Sequence, residues 1–321
     1  MSNIEKYVME WDGIHSLYML EYERKSGYRI VKGISIGSSD GKRTMRTERI
    51  VTKNATYQKF EVLKSNRNKR YKYQEFIIEG VRNMNEAIKK GWNIKSFLYS
   101  DENNLSDWAK GVISNTSTEI NYNLSGILMK ELSGKEDTSE LMAILAMQED
   151  NLDTVKLSKN PMLALFDRPS NKGNLGTIIR SCDALGVECL MITGHAVDLY
   201  DPEVVISSMG SFFNMQVVRV PDTQKVMDFI ARMKKNYPTF KTIGTTAHKE
   251  HPIYELDLSG PVLFMIGNET DGLSNTFKDC CDVLATIPMV ESSYATSFNV
   301  GCAGTVMFYE ARRQRYLYYG E

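Results

Sequence analysis

Met162-Leu-Ala-Leu-Phe-Asp-Arg-Pro-Ser-Asn-Lys-Gly-Asn-Leu-Gly-Thr-Ile-Ile-Arg-Ser-Cys-Asp-Ala-Leu-Gly186 is the stretch that decides the fold. An unbroken apolar run of strand length, Met162–Phe166, gives way to a polar loop. The loop opens into a segment of helical spacing, Asn174–Leu185, which Gly186 stops. A strand with no polar alternation is buried on both faces, which is how strands of a parallel sheet read. The same alternation continues downstream. Strands are expected at Cys189–Thr193, Met215–Val220, Thr242–Thr246, Pro261–Ile266 and Val283–Ile287. Helices are expected at Glu203–Gly210 and Thr223–Lys235, with a short one after Ile266 and a long last one over Ser297–Tyr319. Residues 161–321 therefore predict an α/β domain with a parallel sheet, whose ligands bind at the carboxyl ends of the strands.

Upstream, residues 51–150 predict a smaller α/β unit. It has strands at Glu75–Glu79, Ile94–Tyr99 and Leu141–Met147, and helices at Val81–Lys90 and Ile127–Leu132. The polar stretch Gln148–Asn160 reads as a connector, with 151–160 as the linker proper. Residues 1–50 read as an appended element without an assigned role, weakly strand-like at Tyr28–Val31 and Arg49–Thr52 around a mixed Gly33–Gly41 stretch.

Composition excludes several classes. The chain has 321 residues, 42% of them hydrophobic and 25% charged, as in ordinary globular proteins. No apolar run reaches the roughly 18 residues of a membrane helix, and Met1–Trp11 carries Glu5, Lys6 and Glu10 rather than a secretory apolar stretch. The five cysteines form no CxxC pair and are odd in number, and the four histidines show no ligand spacing with them. This predicts reduced thiols in a cytoplasmic protein and no metal. The net charge of −1 does not advertise nucleic acid, but its distribution is uneven. Residues 51–100 hold eleven Lys or Arg against four Glu, densest at Lys64, Arg67, Lys69, Arg70 and Lys72 among tyrosines. Such a segment suits a phosphate backbone with rings for unpaired bases, or else forms a solvated charged loop.

Three loops at the expected carboxyl edge can carry chemistry. In the first, Asp167–Arg180, exposed helix-start amides and Arg180 make an anion-attracting corner. The bland alternative has Asn174 as a helix cap and Arg180 paired with Asp167. In the second, Phe264–Leu273, Glu269 lies past a buried strand between Gly267 and Gly272, which let a ligand approach the backbone; the alternative is a turn with Ser274 capping the next helix. The third, Ile287–Gly304, is rich in Ser and Thr and runs into a helix beginning with small residues. There Ser297 and Asn299 are either functional or simple caps. Neither GxGxxG after the first strand nor GxxxxGK[ST] is present, which removes the commoner nucleotide-binding loops.

Taken together and in order, these segments resemble the three signature motifs of the SpoU (TrmH-like) family of RNA ribose methyltransferases. The matching residues are Asn174-Leu-Gly-Thr-Ile-Ile-Arg180 with Ala184-Leu-Gly186, then Ile266-Gly-Asn-Glu269 with Gly272-Leu-Ser274, then Ile287-Pro-Met289 with Ser297-Phe-Asn-Val300. Ser208-Met-Gly-Ser211 also looks like a family segment. Residues 57–100, with Arg70, Phe76 and Ile78-Glu-Gly80, are similar to the L30e-like substrate-binding domain of ribosomal-RNA members. The resemblance implies a deep trefoil knot, a homodimer with its active site at the subunit interface, and S-adenosylmethionine as methyl donor to a ribose 2′-hydroxyl of RNA, in the first place rRNA. A tRNA enzyme and a catalytically silent RNA-binding scaffold are the alternatives. It implies a cofactor pocket at Thr245, Thr246, Gly267, Ile287, Met289 and Phe298, and a catalytic cluster of Arg180, Asn174, Glu269, Ser297 and Asn299. Arg180 then stabilises a developing oxyanion or holds the adjacent phosphate. The proton goes to a phosphate or to Glu269, or Glu269 only orients Arg180 or Asn174. Phe298 in place of a usual leucine, and Gly301-Cys302 in place of a serine-containing step, depart from the pattern.

Overall fold

The computed structural model describes residues 4–11, 16–23, 27–35, 46–102, 104–247 and 250–320, the first three as backbone alone. The chain divides into two compact units, Met1–Thr44 and Met45–Glu321. The first is an antiparallel meander of Ile4–Trp11 (β1), Ser16–Glu23 (β2) and Gly27–Ser35 (β3). The mixed stretch expected to end at Gly41 lies, beyond Ser35, outside the described residues.

The second unit holds both α/β domains. The small domain runs through Thr47–Ile50 (β4), Ala55–Ser65 (α1), Arg67–Tyr73 (α2), Glu75–Glu79 (β5), Val81–Lys89 (α3), Ile94–Tyr99 (β6), Asp107–Asn115 (α4), Asn121–Leu124 (β7), Gly126–Ser133 (α5) and Leu141–Ala146 (β8). Its sheet order is β4-β7-β6-β8-β5, parallel on the β4 side and antiparallel on the β5 side. Because β4 pairs with β7, the appended unit ends at Thr44, and the boundary expected after residue 50 moves upstream.

The large domain follows with Met162–Asp167 (β9), Lys172–Leu185 (α6), Cys189–Thr193 (β10), Pro202–Ser207 (α7), Gln216–Val220 (β11), Thr223–Asn236 (α8), Lys241–Thr245 (β12), His251–Pro252 (β13), Val262–Ile266 (β14), Asn275–Asp279 (α9), Val283–Thr286 (β15) and Val300–Tyr319 (α10). Its seven strands, in the order β11-β10-β9-β14-β12-β15-β13, are parallel at every pairing. The period-2 rule is visible along β9. Met162, Ala164 and Phe166 enter one core, while Leu163 and Leu165 enter the core on the opposite face. Two expected helix ends shift. The Glu203–Gly210 helix stops at Ser207, because Met209 and Gly210 turn to φ +53° and +93°. The last helix starts at Val300, because Asn299 is its N-cap.

The charged run, read as an RNA-facing segment or else a solvated loop, is helical. Tyr57, Phe60 and Leu63 on α1 are buried at a spacing of three, and Arg70 is the buried residue of α2, which starts after the extended Asn66. The polar connector is not slack either. Gln148 N donates to Tyr200 Oη at 3.1 Å, Arg219 N to Asp150 at 2.9 Å, and Lys156 N to Gln216 at 2.9 Å. One hydrophobic core runs from Phe76, Ile78 and Leu145 of the small domain to Phe166, Leu199 and Phe212 of the large one. No helix among the described residues is long and apolar enough to cross a membrane.

Candidate active site at the carboxyl edge of the parallel sheet

The three loops meet. A pocket of ≈ 490 Å³ opens where β14, β12 and β15 end, within the range of small-molecule sites. It is lined by Asn174, Thr245, Thr246, Gly267, Glu269, Ile287, Met289, Ser297, Phe298 and Asn299. Arg180 is not in it.

The second loop is a tight turn. Asn268 and Gly272 exchange both backbone hydrogen bonds at 3.0 Å, and Gly272 takes φ +69°. Gly267 has to be glycine: a Cβ there would lie 2.1 Å from Leu273 N and 2.2 Å from Gly272 C. Its own N–H donates to Thr245 Oγ1 at 3.3 Å, which ties the turn to the end of β12. Arg168 fastens the turn to β9. It is a non-glycine residue at φ +51°, a conformation costing about 1–2 kcal/mol. Its neighbours hold it there. Arg168 N donates to Thr193 O, Asn268 Nδ2 donates to Arg168 O at 2.6 Å, and Arg168 Nη2 donates to Gly272 O at 3.1 Å. Asp167, buried to 2% exposure, accepts from Arg168 Nε, Thr193 Oγ1 and Ser274 N. Arg168, and not Arg180, is thus the partner of Asp167.

The polar cluster is a chain of hydrogen bonds across all three loops. Glu269 accepts from Ser170 Oγ (2.7 Å), Ser170 N (3.0 Å), Asn171 N (3.2 Å) and Asn174 Nδ2 (3.2 Å). Asn174 Oδ1 accepts from Asn299 Nδ2 at 3.1 Å. Asn299 Oδ1 in turn accepts from Gly301 N (2.9 Å) and Cys302 N (3.3 Å), capping α10. Asn299 is therefore cap and cluster member at once. The cap of α6 is Asn171, whose Oδ1 accepts from Asn174 N, which leaves the Asn174 side chain free for the cluster. Burial pushes the Glu269 carboxyl up, but the Ser170 hydroxyl and amide, its own backbone amide and Asn174 outweigh burial and hold it below the ordinary carboxylate value. A carboxylate so saturated orients its neighbours; it is a weak proton acceptor.

Arg180 leaves α6 on an exposed face, without a hydrogen bond or ion pair to any described residue. One turn before it, the Thr177 methyl lies 3.0 Å from where a Cβ of Gly301 would stand. One residue after it, Ser181 Oγ lies 2.6 Å from Thr305 Oγ1 of α10. Arg180 thus emerges beside the first turns of α10. Ser297 and Phe298 are exposed at the pocket mouth. Two residues that sequence reasoning passed over, Ser170 and Asn171, supply three of the four bonds to Glu269. They sit within the first loop, but their partner is 98–99 residues away. Lys278 also lines the pocket.

The basic segment behaves differently from its expected RNA surface, and Arg70 is a correction. Its side chain is 1% exposed and bonded to Asp198, Asp201 and two main-chain carbonyls, so it cannot meet a phosphate. Lys64 donates to Leu132 O (2.8 Å) and Ser133 O (2.9 Å) at the end of α5, and Arg67 Nη1 donates to Ala196 O at 2.7 Å. Lys72 is exposed and Lys69 half-buried, neither with an ion-pair partner among the described residues. Among those residues no group of three His, Cys, Asp or Glu side chains comes together to hold a metal.

An all-parallel sheet with three convergent loops at its carboxyl edge, joined to a small mixed α/β domain, defines a two-domain enzyme of the small-ligand-binding α/β kind. The family follows from comparison. The SpoU rRNA Methylase family matches residues 161–309, and the SpoU L30e-like domain matches residues 54–143. The 23S rRNA (uridine(2479)-2′-O)-methyltransferase of Streptomyces viridochromogenes is 39% identical over 277 residues, 86% of this chain and 96% of that one. The 23S rRNA (guanosine(2553)-2′-O)-methyltransferase RlmP of Bacillus subtilis is 26% identical, over 77% of this chain and 92% of its own. The crystal structure of the SpoU methyltransferase AviRb from Streptomyces viridochromogenes, in complex with the cofactor AdoMet, aligns with a TM-score of 0.76 and 40% identity, over 82% of this chain and 98% of that one. The chain belongs to the SpoU methylase family.

Proposed function

We propose that this protein transfers a methyl group from S-adenosylmethionine to a ribose 2′-hydroxyl of ribosomal RNA, in the cytoplasm and as a homodimer. The observation that carries the reading is the bonded series Glu269–Asn174–Asn299 at the mouth of the pocket. The pocket fits the cofactor. Ile266, Ile287, Met289 and Met307 offer apolar walls, Thr245 and Asn268 offer polar atoms, and a Cβ at Gly272 would meet nothing within 4 Å. When bound, the cofactor supplies a sulfonium-activated methyl. Close packing of α10 on α6 at Gly301 and Gly304 supports a knotted threading of the last segment.

A 2′-hydroxyl is a weak nucleophile, so the protein's task is alignment and stabilisation of charge developing on that oxygen. Asn174 and Asn299 are held so that their amide N–H groups point along the series. Arg180 serves as a cation on the 2′-oxygen or the adjacent phosphate, not as a base, since a guanidinium offers donors and no acceptor. Glu269, already engaged by four donors, orients; the proton then passes to an RNA phosphate. Arg180 stands outside its own pocket, next to an exposed stripe of α10 that includes Val306, Tyr309 and Tyr316. Exposed apolar residues at this spacing suit a second copy of the chain. In such a dimer the partner's Arg180 completes the site. Lys69 and Lys72 remain for RNA contact on the small domain.

The test is tritiated methyl transfer from S-adenosylmethionine to unmodified rRNA and tRNA, with products mapped as alkali-resistant dinucleotides. Label in one resistant dinucleotide of rRNA is expected. Alkali-labile label would mean base methylation and would overturn the mechanism; label in tRNA alone would overturn the substrate. Arg180→Ala should abolish transfer and leave cofactor binding within a small factor, whereas equal loss of both would make Arg180 structural.

A further inference from the structure

The joint between the two domains is built around Arg70. Its guanidinium is 1% exposed and is shared between them. Nε donates to Asp198 Oδ2 at 2.7 Å and Nη2 to Asp201 Oδ2 at 3.3 Å, both on the large domain. Nη1 donates to Leu63 O at 2.8 Å and Lys64 O at 2.9 Å, at the end of α1 in the small domain. The neighbouring Tyr71 Oη donates to the other Asp198 oxygen at 2.7 Å. Arg219 of the large domain lies 4.2 Å over the Tyr71 ring, and Trp92 Nε1 donates across the joint to Phe213 O at 3.0 Å. Phe76 and Trp92 pack on Phe212 with ring centroids 5.8 and 5.5 Å apart.

Domains of one chain ordinarily move relative to each other unless a large apolar interface stops them. Here one core is continuous through the joint. A buried ion pair adds little stability over apolar side chains of the same size; what it specifies is one relative geometry. The guanidinium fork is satisfied only when α1 and the Asp198–Asp201 turn stand in one position. That position is passed to the site without a slack segment. Asp201 caps α7 and also pairs with Lys172 of α6 at 3.1 Å. α7 packs so closely on α6 that a Cβ at Gly176 would lie 1.9 Å from Ser207 Oγ. α6 carries Asn174 and Arg180.

We infer that the Arg70 hub is a specificity-determining element, which fixes the span between the RNA-contacting face of the small domain and the methyl-transfer pocket and so selects the nucleotide. This rests on the RNA-methylating reading above. Every nucleotide of RNA presents the same 2′-hydroxyl, so the pocket alone cannot choose among them. A second attachment point at a fixed distance can, and misplacement by about 1 Å is enough to cost roughly 100-fold in rate.

The experiment uses the full chain and total unmodified rRNA. Arg70→Met combined with Asp198→Asn removes the charge pair and leaves Asp201 with Lys172. Tyr71→Phe is the milder variant, losing one hydroxyl. Wild type should label one nucleotide. The double variant should bind S-adenosylmethionine within about twofold of wild type, lose about 10-fold or more of the label at that nucleotide, and label other riboses as well. Hydrogen exchange at Gln148 and Tyr200 should quicken. Tyr71→Phe should move the same way by less. A variant that binds cofactor and labels the same single nucleotide, at whatever rate, overturns the inference and leaves Arg70 a structural residue. If the double variant binds no cofactor, Tyr71→Phe decides by the same criterion. Absence of label with wild type overturns the functional reading itself, a failure seen in a different lane.

Discussion

Asn174→Asp keeps the shape of the side chain and turns one donor into an acceptor. In the native site Nδ2 donates to Glu269 Oε1 at 3.2 Å, and Oδ1 accepts from Asn299 at 3.1 Å. The introduced carboxylate, when ionised, keeps the second bond and opposes the Glu269 carboxylate at the first. At 3.2 Å two unit charges repel by about 1.3 kcal/mol in water-like surroundings and by about 5 kcal/mol at an effective dielectric near 20. At about 1.36 kcal/mol per pH unit, this raises the pH at which the pair loses its last proton by about 1 to 4 units. Glu269 is held anionic by its donors, so the proton resides on the new side chain, which then titrates between about 5 and 8. The neutral acid restores the native pattern, with O–H donating to Glu269 and C=O accepting from Asn299. Because this pKa is raised, the competent form exists below it and is lost as pH rises through it. Single-turnover methyl transfer at saturating cofactor, from pH 5 to 9, should give a variant-to-wild-type rate ratio that falls with pH. Asn174→Ala should be slow throughout. A ratio independent of pH, or Asn174→Asp no faster than Asn174→Ala at pH 5, would refute the bonding pattern.

Two further outcomes follow from the same geometry. Ser170→Ala removes the 2.7 Å hydroxyl donor to Glu269 and should lower kcat about 10-fold with the cofactor KM unchanged. The Glu269 carboxyl, depressed in the native protein, rises when that donor is lost. The acid limb of the rate profile should therefore move to higher pH, and Ser170→Thr should return it; an unmoved limb separates Ser170 from Glu269. Gly267→Ala should abolish S-adenosylmethionine binding measured by calorimetry, since its Cβ would meet main chain at 2.1 Å; near-native affinity would show that the turn can open.

Periodicity made the large domain legible because β9, β10 and β14 are buried on both faces, and such strands leave continuous apolar runs. The loops were legible as places, since ligands gather at the carboxyl edge. Partnerships inside them were not. Asn171 and Asn174 are equal candidates for the α6 cap by type and spacing, and only the position of Glu269, 95 residues beyond Asn174, decides between them. Arg70 shows a different failure. Charge interleaved with tyrosine suggested a solvated or RNA-facing segment, yet Arg70 lies on the buried face of α2, a second helix that starts after the extended Asn66. A cation on that face signals a buried carboxylate partner, and Asp198 and Asp201 stand 128 and 131 residues away. The meander β1–β3 was read only in part, because Glu, Lys and Arg interrupt its strands, and Glu and Lys are depleted from strand-like sequence.

The bonded series also says which atoms are left for a substrate. Asn299 Oδ1 faces the N–H groups of Gly301 and Cys302, so flipping that amide would set donor against donor. Asn299 Nδ2 must therefore face Asn174 Oδ1, and Asn174 Nδ2 must face Glu269. The orientation of the whole cluster is thus imposed from one end by the first turn of α10 and from the other by a fixed anion. Each of the two amide nitrogens keeps one N–H that no described residue accepts. Ser170, Asn171 and Asn174 together engage both oxygens of Glu269. What the cluster offers outward is donors. Donors stabilise negative charge on an oxygen; they do not remove a proton. On the proposed reading, a site assembled this way lowers the barrier by holding a hydroxyl oxygen while its charge grows, and the partner's Arg180 adds a cation to the same task.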